Sequence, residues 1–316
     1  MISTKGLVKR YGTFTAVDGL DLNIGRGEVY GFLGPNGAGK TTTIMMLLGI
    51  TRPTAGEIRL FGELAGPRRL DLRRRIGVVP EKHPRGVWQW MTAEEYLRFF
   101  ADLFEVPRSA DRIEQLLDKV DLLRVRWKRI REFSRGMLQK LSIVRALLPD
   151  PDILLLDEPI SGLDPLGIKQ VRDLILTENR EGRTIFISSH QLSEMEKICH
   201  RVAIMFRGRL MVEDQMRSLL SRITVEREIR VELEDPPADL ADRVRVLPFV
   251  STAALQGRIL VVKITREGDQ RRALSEHLIR LGLVPLSLEE KVPSLEEAFV
   301  TITQENVATL ARGDTR

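Results

Sequence analysis

Three clusters of residues in this chain have the types and spacing that phosphate chemistry requires. The first is Gly34-Pro35-Asn36-Gly37-Ala38-Gly39-Lys40-Thr41-Thr42, which follows an apolar run (29–33) and precedes one of helical character (43–48). That is the strand–loop–helix context of a phosphate-binding loop. Glycines at 34, 37 and 39 let the backbone curl so that its N–H groups face the phosphates, and the helix N-terminus adds the favourable end of its dipole. Lys40 then reaches the terminal phosphates of a nucleoside triphosphate, and the Thr41 hydroxyl sits on Mg²⁺. The second cluster is Asp157-Glu158, closing the apolar run 153–156. A buried strand ending there places Asp157 beside Mg²⁺ through a water and Glu158 near the γ-phosphate, where it can polarise the attacking water. The third is Ser134-Arg135-Gly136-Met137, a turn opening an apolar helix. Ser134 in that setting is a plain helix cap, or it joins the N–H groups around Gly136 in a second anion site. One molecule cannot bring both anion sites onto one phosphate chain, so ATP would be sandwiched between two subunits. Ser161-Gly162-Leu163-Asp164 and Ser188-Ser189-His190 are two further polar strings beside apolar segments.

The elements that must hold these residues alternate along the first two thirds of the chain. Residues 2–24 read as antiparallel strands with a turn near Tyr11-Gly12, and 54–62 as a strand punctuated by glycine. From 92 to about 148 the pattern is helical, with Tyr96, Leu97, Phe100 and Leu103 on one face. Strands return at 153–156, 184–188 and 201–206, separated by helical stretches. The alternation predicts an α/β core carrying an inserted helical subdomain. Beyond residues 215–228 the texture changes. Strands at 229–233, 244–247 and 259–264, a helix at 269–281, a strand near 286–288 and a short helix from Ser294 predict a small α+β domain, ferredoxin-like in order.

Composition narrows the class. With 316 residues, 29% charged and 43% hydrophobic, the chain suits two soluble domains. No apolar run approaches the roughly 20 residues that cross a bilayer, and no apolar core follows Met1-Ile2-Ser3-Thr4-Lys5 as a secretory signal would require. One cysteine, Cys199, excludes an internal disulfide and fits a reducing compartment. Charge is uneven: from Val225 onward 13 basic residues face 16 acidic ones, while the remainder carries 36 against 28. Basic runs at Arg68, Arg69, Arg73, Arg74, Arg75 and at Arg126, Lys128, Arg129, Arg131, Arg135 are solvated faces or sites for anionic lipid or nucleic acid.

In their order and spacing these motifs resemble the ATP-binding subunit of ABC transporters, over about the first 220 residues. The resemblance implies a P-loop NTPase of ABC type at 1–220, with a core sheet, an antiparallel β subdomain and an inserted helical subdomain at about 88–150, followed by an α+β accessory domain at 221–316. It implies ATP and Mg²⁺ as cofactors, Glu158 as catalytic carboxylate and His190 as the switch histidine contacting the γ-phosphate. Tyr11 looks like the aromatic that stacks on adenine, with Val17 beside the ribose. Glu81 stands where most of the family has a glutamine and is a metal candidate beside Thr41 and Asp157. Arg135 and Met137 depart from the family's signature, and Arg135 adds a positive charge that could reach the partner's γ-phosphate. Glu81 after Pro80, this altered signature, and Pro293-Ser294-Leu295-Glu296-Glu297-Ala298-Phe299 near the C-terminus all resemble the type-two ABC exporter group.

Expected partners are a separate transmembrane permease subunit and a second ATPase, identical or paralogous. The expected location is the cytoplasmic face of the cell membrane, peripheral through the permease. In the family it resembles, the surface just after Glu81, which carries Trp88 and Trp90, receives the permease; two tryptophans so close are either core filler or, if one is exposed in a groove, an anchor for that interface. No nucleic acid is expected, although the basic first domain leaves a soluble ATPase acting on nucleic acid or the ribosome as the alternative. A nucleotide-dependent module that does not hydrolyse is a third reading, disfavoured by Glu158 and His190. The substrate is not encoded in these motifs.

Overall fold

The computed structural model describes residues 1–66, 69–81, 86–223, 227–264, 269–291, 295, 296 and 299. The chain divides into two compact units, Met1–Met216 and a second that starts at Arg217. In the first unit β1 (Ile2–Tyr11) and β2 (Phe14–Ile24) make a long hairpin. After it come β3 (Val29–Leu33), α1 (Lys40–Leu47), β4 (Ala55–Leu60), β5 (Glu63–Leu64), α2 (Leu70–Arg73) and β6 (Ile76–Val79). The helical insertion holds α3 (Ala93–Leu103), α4 (Ser109–Lys119) and α5 (Arg135–Leu147). The core resumes with β7 (Ile153–Asp157), α6 (Pro165–Arg180), β8 (Thr184–Ser189), α7 (Leu192–Glu196), β9 (Arg201–Phe206) and β10 (Arg209–Gln215).

The main sheet has the order β10-β9-β3-β8-β7-β6, parallel except for β10 at the edge. Every residue of β3, β7 and β8 is buried, as expected of parallel strands with both faces covered, which therefore read as unbroken apolar runs. Tyr30 and Phe32 pack on Phe186 across the strand pair, with ring centroids 5.9 and 5.2 Å apart. The antiparallel sheet β2-β1-β4-β5 shares this core through Ile2, Leu20, Ile24, Ile58 and Leu60. In an open parallel sheet ligands sit beyond the carboxyl ends of the strands. Here those ends carry the glycine loop, Asp157-Glu158 and Ser188-Ser189-His190.

Helix starts in the insertion are set by local chemistry. The Thr92 hydroxyl accepts from the Glu95 N–H while Glu95 Oε2 accepts from the Thr92 N–H, a reciprocal cap at the head of α3 worth about 1 kcal/mol. Ala93, Tyr96, Leu97 and Ala101 form the buried stripe of α3. Leu103, expected on that stripe, is exposed, because it lies in the final turn beyond Ala101, the last buried residue of the helix. The arginine run after α1 is largely neutralised: Arg69 pairs with Glu63 and Asp71, Arg74 with Glu105 and Arg75 with Asp152. Arg68 lies outside the described residues.

Helix α8 (Met216–Ile223) leads into the second unit, which holds β11 (Arg227–Glu232), α9 (Leu240–Arg245), β12 (Val250–Gln256), β13 (Ile259–Ile264), α10 (Arg271–Arg280) and β14 (Ser287–Lys291). Its sheet order is β12-β13-β11-β14 with every neighbour antiparallel, the β-α-β-β-α-β arrangement of ferredoxin-like folds. One expectation fails here. Residues 244–247, expected as a strand, fall on the end of α9 and the turn after it. Leu240 and Val244, four apart, are both fully buried, whereas Val246 is 75% exposed, so the helical period decides. The strand of that region is β12, which the sequence reading did not anticipate. The expected helix from Ser294 starts outside the described residues.

Candidate nucleotide site

The glycine loop links β3 to α1, and its backbone cannot accept side chains at two points. At Gly34 (φ +156°) a Cβ would lie 2.4 Å from the Met205 carbonyl oxygen, and at Gly39 (φ +107°) 2.5 Å from that of Ala16. Gly39, in a left-handed conformation, precedes the first turn of α1, so the loop's N–H groups and the helix end share one concavity. Lys40 is buried; its ammonium donates to the Gly34 carbonyl at 2.6 Å and the Pro35 carbonyl at 3.3 Å. The curl of the loop thus folds the lysine back over the space a phosphate chain would fill.

Parallel register then brings distant residues to this loop. Asp157 ends β7 opposite Ser188 of β8. The Thr41 hydroxyl donates to Asp157 Oδ2 at 3.1 Å, across 116 residues of sequence. Glu158 is nearly buried and has φ +50°, a left-handed backbone that costs a non-glycine residue roughly 1–2 kcal/mol. Its Oε1 lies 3.4 Å from Lys40 Nζ and has no hydrogen-bond partner. Its Oε2 lies 2.9 Å from His190 Nδ1 and accepts from the His190 N–H at 3.4 Å.

Lys40, Thr41, Glu158 and His190 line one cavity of about 460 Å³, the size of a small-molecule site. Pro35, Asn36, Gly37, Gly39, Lys40, Thr41 and Thr42 supply its floor, with Glu81, Glu158, Ser161 and His190 around them. Lys40 is the one Lys or Arg among these lining residues. Of the other expected residues, Gly34 and Ala38 lie in the loop beneath and Asp157 is reached through Thr41. Tyr11 and Val17 do not line the cavity: Val17 is fully buried, and Tyr11 is half exposed with the Lys9 ammonium 4.8 Å from its ring centre. The aromatic on the cavity wall is Phe14, 63% exposed, across the β1–β2 turn. The resemblance to the family points to Tyr11 as the adenine-stacking aromatic and leaves Phe14, three residues on, without a role.

Ser134 and Gly136 lie away from this cavity. Ser134 caps α5, its hydroxyl accepting from the Met137 N–H at 3.2 Å. Beside it the Arg135 guanidinium rests against Gly162, whose added Cβ would be 2.1 Å from a guanidinium nitrogen. Gly162 has φ +66°, so this contact and the turn both require glycine. Below the loop strand, burial and then the Glu213 charge push the Tyr30 phenol well above its usual range, and Tyr30 donates to Glu213 at 2.8 Å. Burial alone pushes the Cys199 thiol up, leaving it unreactive.

A phosphate loop, a strand-end acid pair and a histidine converging on one cavity narrow the comparison to nucleotide-hydrolysing proteins. The ABC transporter family model matches residues 17–161. The bacitracin transport ATP-binding protein BcrA of Bacillus licheniformis is 45% identical over 67% of this chain and 69% of its own length. A Nod factor export ATP-binding protein I of Burkholderia thailandensis is 36% identical over 93% of this chain and 94% of its own. The chain belongs to the ABC transporter ATP-binding family. A solved ATP-binding subunit of an ABC transporter superposes with a TM-score of 0.64 at 29% identity, covering 70% of this chain and 92% of that one. As a member of that family it is an ATP-binding, ATP-hydrolysing subunit that powers a separate transmembrane partner. Among the described residues, no helix is long and apolar enough to cross a membrane.

Proposed function

We propose that the chain hydrolyses ATP in a sandwich between two ATPase subunits to drive export through its membrane partner. The observation that carries the catalytic part is the meeting of Lys40, Glu158 and His190 in the loop cavity, with Glu158 3.4 Å from Lys40 and 2.9 Å from His190. Lys40 and the loop N–H groups hold the β- and γ-phosphates. Glu158 accepts a proton from the attacking water, general-base help typically worth 10²–10⁴-fold, and His190 orients the γ-phosphate. Tyr11 and Val17, or Phe14 in their place, would meet the nucleoside.

The residues fit Mg²⁺. Thr41 Oγ1 and Asp157 Oδ2 stand together at 3.1 Å, Glu81 faces the same space, and Glu158 Oε1 is a buried carboxylate oxygen without a hydrogen-bond partner. Among the described residues no three His, Cys, Asp or Glu form a metal group. The ion would therefore depend on hydroxyl, carboxylate and phosphate oxygens together, as magnesium commonly does. Bound there, Mg²⁺ would offset the negative charge of the transferred phosphoryl group.

Ser134, Gly136 and the exposed Arg135 lie off the cavity of their own chain, which suits a role at the phosphates of a second, identical or paralogous, subunit. Export is the direction in the name of one relative and is the role of the exporter group that Glu81 and the Ser134–Met137 turn resemble. The subunit would sit at the cytoplasmic face of the cell membrane, held there by the permease. Glu158→Gln tests the core of this reading: turnover should fall by about 10²–10⁴ with ATP still bound, and an ATP-bound dimer should accumulate. Near-normal hydrolysis by the purified variant overturns it.

A further inference from the structure

The two carboxylates of the site face different ways, and one hydroxyl touches both residues. Ser188, fully buried at the end of β8, lies directly opposite Asp157 in the parallel register. Its Oγ donates to Asp157 Oδ1, which leaves Oδ2 to face Thr41. The same Oγ accepts from the Glu158 N–H at 3.3 Å, and the Ser188 carbonyl accepts from that N–H at 3.0 Å. Glu158 is the residue with φ +50°, a conformation that persists only where its surroundings hold it. That turn of the backbone sends the carboxylate between Lys40 and His190 rather than onward along β7.

We infer that Ser188 is the positioning residue of the acid pair: its hydroxyl orients the Asp157 carboxylate toward Thr41 and anchors the left-handed backbone that aims Glu158 at the γ-phosphate. A serine hydroxyl can do both at once because it has one proton to give and lone pairs to accept. Alanine can do neither, and valine would fill the space while losing both bonds. The neighbouring Ser189 acts elsewhere, accepting from the Gln191 N–H at 3.0 Å and reaching Glu158 Oε2 only at 3.5 Å. The inference rests on the assignment of Asp157 and Glu158 made above.

Steady-state hydrolysis, nucleotide binding in EDTA and thermal melting of Ser188→Ala, Ser188→Thr and Glu158→Gln test it in the full chain. Loss of a buried hydrogen bond to a charged group predicts a kcat about 10- to 100-fold lower in Ser188→Ala. KM and the metal-free nucleotide affinity should stay within about twofold, because the loop and Lys40 are untouched. Ser188→Thr, which keeps the hydroxyl, should recover most of the rate; if its extra methyl prevents folding, Ser188→Cys, of similar volume and weaker donor strength, should fall between serine and alanine. A normal kcat in Ser188→Ala, an equal loss of metal-free affinity, or a threonine variant as slow as alanine at the same melting temperature overturns the role of Ser188. Undiminished hydrolysis by Glu158→Gln instead overturns the acid assignment beneath it, so the two failures are told apart.

Discussion

In the proposed mechanism Glu158 serves as the catalytic carboxylate, and in the structure it is the counter-ion of Lys40; the two roles pull affinity and turnover in opposite directions. Lys40 Nζ and Glu158 Oε1 lie 3.4 Å apart with side chains only 6% and 8% exposed, so solvent screens them little. At an effective dielectric of about 20 their attraction is roughly 5 kcal/mol, most of it offset by the cost of desolvating both charges. ATP must take Lys40 away from this partner and bring its phosphates close to the same carboxylate. Glu158→Gln removes the competition and the repulsion together. If about 1–2 kcal/mol of net attraction is released, nucleotide should bind about 5- to 30-fold more tightly while hydrolysis slows. Titration of a fluorescent ATP analogue in EDTA isolates this effect from metal and from turnover. In a Lys40→Ala background, where binding itself is weaker, the tightening should largely vanish, as a coupling carried by the pair requires. Unchanged or weaker binding by Glu158→Gln, or the same tightening without Lys40, refutes the competition.

The two tryptophans after Glu81 should separate cleanly. Trp88 packs on Tyr96, Phe99 and Phe100 with centroids 5.2–5.6 Å apart, so Trp88→Ala should cost roughly 2–3 kcal/mol of stability in denaturant unfolding. Trp90 is 62% exposed under the Arg131 guanidinium; Trp90→Ala should leave stability within about 0.5 kcal/mol but weaken pull-down of the membrane subunit at least tenfold if it anchors that interface. Part of the pH dependence of stability follows from Cys199 and Tyr30, whose neutral forms the fold favours. Both have folded pKa values above their unfolded ones, so their contribution is present below the unfolded pKa and declines above about pH 9 for the thiol and about pH 10 for the phenol. The urea midpoint should fall across that range, and in Cys199→Ala the fall should begin about one pH unit later. A chain cut after Ile223 should bind ATP with unchanged affinity, since among the described residues every one that lines the cavity lies at or before His190, while losing dimer affinity in sedimentation or coupling to the permease. Loss of ATP binding by a well-folded truncated chain would show that the second unit helps build the site.

What could be read from sequence depended on how far each signal reached along the chain. The loop from Gly34 to Thr42 is self-contained: its glycines, its lysine and the helix it opens are contiguous, so residue type and spacing carry the geometry. The acid pair was legible as the end of an apolar strand, but its orientation was not. Whether Asp157 turns toward Thr41 depends on the register that sets it opposite Ser188, and the sequence fixes that register only through the packing of the whole sheet. Ser188 and Ser189 were visible as a polar pair ending a buried run, yet nothing local distinguishes the one that holds both acids from its neighbour. The aromatic at the cavity shows the same limit. Tyr11 and Phe14 flank one hairpin turn, and which of them lines the site depends on where the β1–β2 hairpin lies against the loop. At residues 244–247 two readings competed: Val244 and Val246 alternate like a strand, but burial of Leu240 with Val244 outweighs the exposure of Val246 and holds a helix. Arg135 carries the point furthest. Its position suggested a charge offered to a partner subunit, whereas in its own chain the guanidinium rests on Gly162, four residues beyond Glu158. A side chain in that place links the head of α5 to the turn after Glu158, and a partner's phosphates would have to draw it off that glycine. Adding a methyl at Gly162 would therefore disturb the resting place of Arg135 as well as the turn, a coupling that no local motif contains.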